Sequence, residues 1–279
     1  MKLNKLAASL ALAGLAVVAS GAHAAVTLTN SDGALSPFGG FDWAAGAVAW
    51  TSGFTGATGS TFDLLYAGWA VSILDSTGNP TFDTPLLDFN PNGVFGGPPG
   101  NGKYEYTIFA TVHEKVVGCT ATTCTFSITG GSYDIYYDVK GGTGSAVQTN
   151  GGTGAWTGFQ NGTTIISGTF DPSANNQVFT ASGSDGSNST TLKGSVTYTN
   201  MAYIDTRLVG TTVTSTLQLG SAKTAIVNPT SVDGIIIGPN DIVFQADANQ
   251  SFTVPEPGAL LLAGLALAGC GLVSRRKRV

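Results

Sequence analysis

Residues 103–117, KYEYTIFATVHEKVV, alternate with period two. Tyr104, Tyr106, Ile108, Ala110 and Val112 fall on one face. Glu105, Thr107, Thr111, His113 and Lys115 fall on the other, with Phe109 the exception. Successive side chains of a strand point to opposite faces, so the pattern predicts a strand with one buried side. Residues 132–140 repeat it, with Tyr133, Ile135, Tyr137 and Val139 opposite Asp134, Tyr136, Asp138 and Lys140. Residues 211–219 do so again, with Val213, Leu217 and Leu219 opposite Thr212, Thr214, Thr216 and Gln218. Less regular strands are predicted at 62–74, 163–170, 196–203, 225–227, 234–237 and 241–246.

Clusters such as Gly78-Asn79-Pro80 and the stretch 90–102 separate these runs. With 39 glycines and only 10% charged residues, the chain favours short strands and many tight turns over helices. About ten strands, several with one wet face, predict an all-β fold: an antiparallel β-sandwich or jelly-roll-like single domain. Residues 141–162, Gly/Thr-rich around Trp156, and 181–191, small and polar, read as loops. No internal repeat or interdomain linker interrupts the body. Three parts are expected: a signal segment at 1–24, the β body at 25–252 and a tail at 253–279.

Charge separates the ends from the body. Six of the twelve basic residues lie in the ends: Lys2, Lys5, Arg275, Arg276, Lys277 and Arg278. The body keeps six basic and sixteen acidic residues, a formal charge of −10. Such a surface repels nucleic acid and anionic lipid, so no nucleic-acid partner is expected.

Residues 1–24 read as a secretory signal peptide, with Lys2 and Lys5 before a short apolar run and small residues Ala22 and Ala24 at −3 and −1 of the cleavage site. The alternative is an uncleaved anchor helix. At the other end Pro255-Glu256-Pro257 precedes ALLLAGLALAGCGLV and the basic cluster Arg275-Arg276-Lys277-Arg278. Proline cannot sit inside a helix, so a transmembrane-type helix starts after Pro257 and would be about 24 Å long at roughly 1.5 Å per residue. That is at the short limit for crossing a bilayer, with the basic cluster cytoplasmic. This arrangement resembles the PEP-CTERM sorting signal of Gram-negative bacteria. The resemblance implies recognition and cleavage near the motif by exosortase, a membrane-embedded protease, after signal peptidase has acted at the other end. A permanent C-terminal anchor is the alternative.

Cys119 and Cys124 enclose four residues between two predicted strands, and in an oxidising compartment they can close a disulfide. Cys270 belongs to the tail. No second Cys or His pair completes a zinc site, so no metal or cofactor is expected. His113, the single histidine of the body, reads as a polar-face residue, since His113-Glu114 is not followed by the second His of a zinc-protease helix. No Gly-x-Ser-x-Gly or phosphate-binding loop occurs. Glu105 and Glu114 lie nine residues apart, roughly 30 Å along a strand and on opposite faces, so they cannot act as a glycosidase pair. The chain is therefore expected not to be an enzyme. Asp134 and Asp138 flank Tyr136 on a wet face and are either Ca²⁺ contacts or solvated surface. Asn161, Asn188 and Asn249 match glycosylation acceptors. Trp50 and Trp69 sit in apolar text and read as core, whereas Trp156 is the candidate glycan contact.

Tyr133 to Asp138 and the stretch 241–252 resemble the flocculation-associated group of PEP-CTERM proteins. That resemblance implies an exported surface or extracellular-matrix protein that works with exopolysaccharide in biofilm or floc formation. A carbohydrate-binding module is the alternative, and a secreted polysaccharide-active enzyme a third.

Overall fold

A computed structural model of the chain describes residues 26–31, 33–81, 104–139, 153–182, 185–222 and 227–253. The strands in chain order are β1 (Val26–Asn30), β2 (Gly33–Ser52), β3 (Thr61–Asp75), β4 (Tyr104–Cys119), β5 (Thr123–Val139), β6 (Thr153–Trp156) and β7 (Thr163–Phe170). They continue with β8 (Ser173–Ser182), β9 (Asp185–Thr199), β10 (Thr212–Ala222), β11 (Asn228–Val232), β12 (Ile235–Ile236) and β13 (Val243–Thr253). The expected signal helix and transmembrane-type helix lie outside the described residues.

The expected sandwich is replaced by a closed barrel. The main sheet runs β2-β13-β10-β9-β7-β5-β4-β3, and β3 pairs back onto β2. Those eight staves are antiparallel throughout. Each neighbours the next main stave in the chain, so the connectivity is up-and-down. A sandwich and a barrel of eight strands impose the same alternation on each strand; only the closed ring of pairings, in which the first stave β2 also meets the last, β13, tells them apart, and alternation carries no record of pairing.

Closure needs curvature, and β5 shows how the sequence provides it. Its first half pairs with β8 and its second half with β7. Between the halves stand Gly130 and Gly131, with φ of 148° and 152°. Those angles favour glycine, and a Cβ on Gly131 would lie 2.3 Å from the carbonyl oxygen of Thr111.

The barrel interior is packed with rings. Phe41 contacts Phe38, Trp43 and Tyr106 at centroid distances of 5.1, 5.0 and 5.1 Å. Tyr137 joins Tyr104, Tyr106 and Tyr203 at 5.8, 5.2 and 5.2 Å. These rings plug the end of the barrel where β4 begins. Further along, Tyr133 packs on Phe170 at 5.3 Å.

The outer face is the reverse. On β9 and β10 it presents Ser189, Thr191, Lys193, Thr212, Thr214, Thr216 and Gln218, all exposed or half-exposed. A barrel embedded in lipid carries an apolar band outside, and these staves carry none.

One sector of the exterior is covered. The small sheet β12-β11-β6 brings Trp156, Phe159, Val227 and Val232 into one apolar cluster with Val48, Trp50, Leu65, Ala67, Trp69 and Val243. This second core explains why β2 shows no alternation: from Ala47 to Trp50 every residue is buried, alternately toward the lumen and the outer cluster. It also corrects the reading of 141–162 as loop throughout, since β6 lies within it. The predicted loop 181–191 is crossed by the ends of β8 and β9.

Candidate functional site

At the end of the barrel opposite the aromatic plug, the packing is incomplete. A cavity of ≈ 100 Å³, partly open to solvent, lies between the ends of the staves. Phe62 and Leu64 come from β3, Phe126 from β5, Leu219 from β10 and Phe244 from β13, with Phe54 from the β2–β3 connection. Phe54, Phe62 and Phe126 form an edge-to-face triplet with centroids 5.1 to 5.9 Å apart. This geometry matches the positive ring edge to the negative ring face and holds the wall in a defined shape. Thr51 closes one side, its hydroxyl oxygen accepting from the Ile242 amide at 3.0 Å.

Among the described residues a single ionisable group enters this apolar space. Glu114 projects inward from β4, is 4% exposed and lines the cavity. Burial pushes its carboxyl up from 4.5 to about 7, because the apolar surroundings strip the hydration of the charged form. None of the other described residues lining the cavity carries charge.

Cys119 and Cys124 form a disulfide with their Cα atoms 4.0 Å apart, at the tip of the β4–β5 hairpin. Cys124 is part of the cavity wall, so the bridge ties down the rim. His113 lies on the outer face, its Nδ1 2.7 Å from Asp63 Oδ1. Glu105 also faces outward and is 4% exposed. The structure therefore keeps Glu105 and Glu114 on opposite faces of β4. Asp134 accepts from the Ser167 hydroxyl at 2.5 Å, and Asp138 accepts from the amide of Val139 at 2.8 Å. Among the described residues no group of three or more His, Cys, Asp or Glu side chains converges on a metal site.

Trp156 is placed differently from the expected glycan contact. It is 0% exposed and stacks on Phe159 at 6.3 Å with rings 15° apart. A side chain with no exposed face cannot lie against a sugar ring; Trp43, Trp50 and Trp69 are equally buried. Of the glycosylation acceptors, Asn188 lines the cavity, while Asn161 and Asn249 are exposed. The sorting-motif residues Pro255, Glu256 and Pro257, the cluster Arg275, Arg276, Lys277 and Arg278, and the cleavage residues Ala22 and Ala24 lie outside the described residues.

Glu114 is the residue that motif searching passes over, yet a signal for it exists. The inward row of β4 reads Tyr104, Tyr106, Ile108, Ala110, Val112, Glu114, Val116, so the carboxylate interrupts an apolar series.

No curated protein and no solved structure matches the chain. Residues 253–278 match the family model of the PEP-CTERM protein-sorting motif. The chain carries a PEP-CTERM protein-sorting motif, which implies export, targeting to the cell envelope and processing by exosortase, a membrane protease.

Proposed function

We propose that the exported barrel is a non-enzymatic surface or extracellular-matrix protein of a Gram-negative bacterium that holds exopolysaccharide in biofilm or floc. The observation that carries this reading is the outer face of β9, β10 and β13. Thr191, Thr216 and Asn249 stand in one cross-strand row; Lys193, Thr214 and Ser251 form the next, and Ser195, Thr212 and Thr253 the one after. All are exposed or half-exposed. Neighbouring strands lie roughly 4.8 Å apart and same-face residues roughly 6.8 Å along a strand, so the rows make a regular field of donors and acceptors. Such a field suits an extended, hydroxyl-rich polymer that gains many weak hydrogen bonds at once. Barrel closure leaves the eight staves without a free edge, which guards a protein held at high local concentration against strand-to-strand aggregation.

A non-catalytic role is supported by the cavity. Hydrolysis of a glycoside by paired carboxylates needs two of them roughly 5 to 9.5 Å apart. Glu114 is the one carboxylate among the described residues lining this cavity.

The test uses the mature protein and exopolysaccharide purified from the same host. Cosedimentation is expected, and Thr191→Glu with Thr216→Glu is expected to reduce it severalfold, by removing two hydroxyl donors from the field and repelling acidic sugars. Deleting the gene is expected to impair flocculation or biofilm. Unchanged cosedimentation of the double variant, with unchanged aggregation of the deletion strain, would remove the proposal.

A further inference from the structure

The lumen of the barrel and its outer hydroxyl face are separate surfaces, and the lumen has chemistry of its own. We propose that the mouth of the barrel binds a small alkylamine, its chain among Phe54, Phe62 and Phe126 and its ammonium group on the carboxylate of Glu114.

The walls set the first requirement. The lining is overwhelmingly apolar, so a polar or strongly hydrated ligand would lose hydration without recompense. The cavity's ≈ 100 Å³ sets the second. It is about two-thirds of a cavity that takes a benzene ring, so it holds a short alkyl segment while the rest of a longer ligand leaves through the open side.

Glu114 sets the third. An ionised carboxylate in an apolar pocket is costly unless a partner meets it, and none of the described residues lining the cavity supplies a counter-charge. The described residues that share the cavity with it are apolar, among them Phe62 from β3, Phe126 from β5, Leu219 from β10 and Phe244 from β13, apart from the uncharged polar side chains of Thr51 from β2 and Asn188 from β9. Its strand neighbours His113 and Lys115, with Asp63 of β3, lie on the outer side of the barrel. A ligand ammonium supplies the missing counter-charge, and as a charge-assisted donor it binds more strongly than a neutral hydroxyl. An aliphatic carboxylate of the same length would place two like charges in one apolar pocket. The pocket therefore selects amine over alcohol, and alcohol over acid.

Titration calorimetry on the full exported protein at pH 8 tests this, with n-hexylamine, n-hexanol and hexanoate as probes. Hexylamine is expected to bind tightest, hexanol more weakly and hexanoate undetectably. Glu114→Gln keeps the side chain's shape and is expected to weaken hexylamine by roughly tenfold or more, the worth of a charged hydrogen bond. Lowering the pH to 5 is expected to do the same to the wild type, by protonating the carboxyl. Leu219→Phe, which fills the cavity from the opposite wall, is expected to abolish binding with the circular dichroism unchanged. Hexanoate binding as tightly as hexylamine, equal hexylamine affinity in Glu114→Gln, or no hexylamine binding by the wild type would each overturn the proposal. The probe comparison stands on the wild type alone, and none of these outcomes bears on the exopolysaccharide reading.

Discussion

Phe62 on β3 lies directly opposite Glu114 on β4, and both side chains turn into the mouth of the barrel. The ring beside the carboxyl excludes the water that would hydrate its charge. This pair makes the folded protein prefer the protonated acid.

The stability consequence has a defined sign. The carboxyl takes its proton at about 7 in the folded chain, against 4.5 when hydrated. Its contribution is therefore full below pH 4.5 and is lost as the pH rises through 7, by about 3 kcal/mol. Glu114→Gln removes the titration. The variant is expected to be more stable than the wild type at pH 8 by on the order of 2–3 kcal/mol, and nearly equal to it at pH 4.5. Urea midpoints at the two pH values measure this. A difference that does not change with pH would mean the group is hydrated in the folded state.

Gly168 makes room for the ring of Tyr133. The two residues are cross-strand partners, and a Cβ at Gly168 would fall 2.3 Å from the Cζ and hydroxyl oxygen of Tyr133 and 2.5 Å from the carbonyl oxygen of Ser195. Gly168→Ala is expected to cost about 2–3 kcal/mol, at the upper end for inserting one methyl into a packed core. Tyr133→Ala in the same chain relieves the ring contact alone, so it is expected to recover only part of the penalty that Gly168→Ala adds. Thermal unfolding of the four chains of that double-mutant cycle gives the coupling. Strict additivity would show that the strand moves aside freely.

How much of this was legible in the sequence depends on how many faces a strand buries. β5, β10 and the second half of β4 each keep one wet face, and their alternation shows directly. β2 is buried on both faces around Trp50, and no period remains to read. β6 was hidden for another reason. Its residues Thr153–Trp156 are Gly/Thr-rich, and they pair in parallel with β11, more than seventy positions away. Closure of the ring by its first and last staves, β2 and β13, is likewise a pairing of distant segments, invisible to any local pattern. At the mouth, the parity of Glu114 was available from the chain. The emptiness beside it was not, because it depends on seven separate strands ending at one level.

The disulfide closes a loop across a sequence separation of 5 between Cys119 and Cys124. A loop that short removes little chain entropy, so Cys119→Ser with Cys124→Ser is expected to lower stability by about 2 kcal/mol, near the low end for natural bridges. Because Cys124 lines the cavity, the same double variant is expected to loosen the mouth and raise amide exchange at the tip of the β4–β5 hairpin. Hydrogen exchange with and without reductant checks both. Exchange rates unaffected by reduction would show that the hairpin's own ladder holds the rim.

Asp233 holds the small outer sheet together through an unusual backbone. Its φ is 47°, in the left-handed region that Asp tolerates better than most residues. Its carboxylate accepts from the amides of Gly158 at 2.7 Å and Phe159 at 3.0 Å, while its own amide donates to the carbonyl of Trp156 at 2.8 Å. The residue thus pins the turn that seats Trp156 and Phe159 over Trp69. Asp233→Ala loses the side-chain bonds to Gly158, Phe159 and Gln160 and places a Cβ residue without local polar support at positive φ, so it is expected to cost about 2–4 kcal/mol. Asp233→Gly loses the bonds but relieves the backbone, so it is expected to cost about 1–2 kcal/mol less than the alanine variant. Both are expected to red-shift tryptophan emission, as Trp156 gains water when the small sheet loosens. If the glycine variant unfolds at the wild-type midpoint with unshifted emission, the carboxylate contributes nothing to seating that sheet, and the apolar cluster alone keeps Trp156 in place.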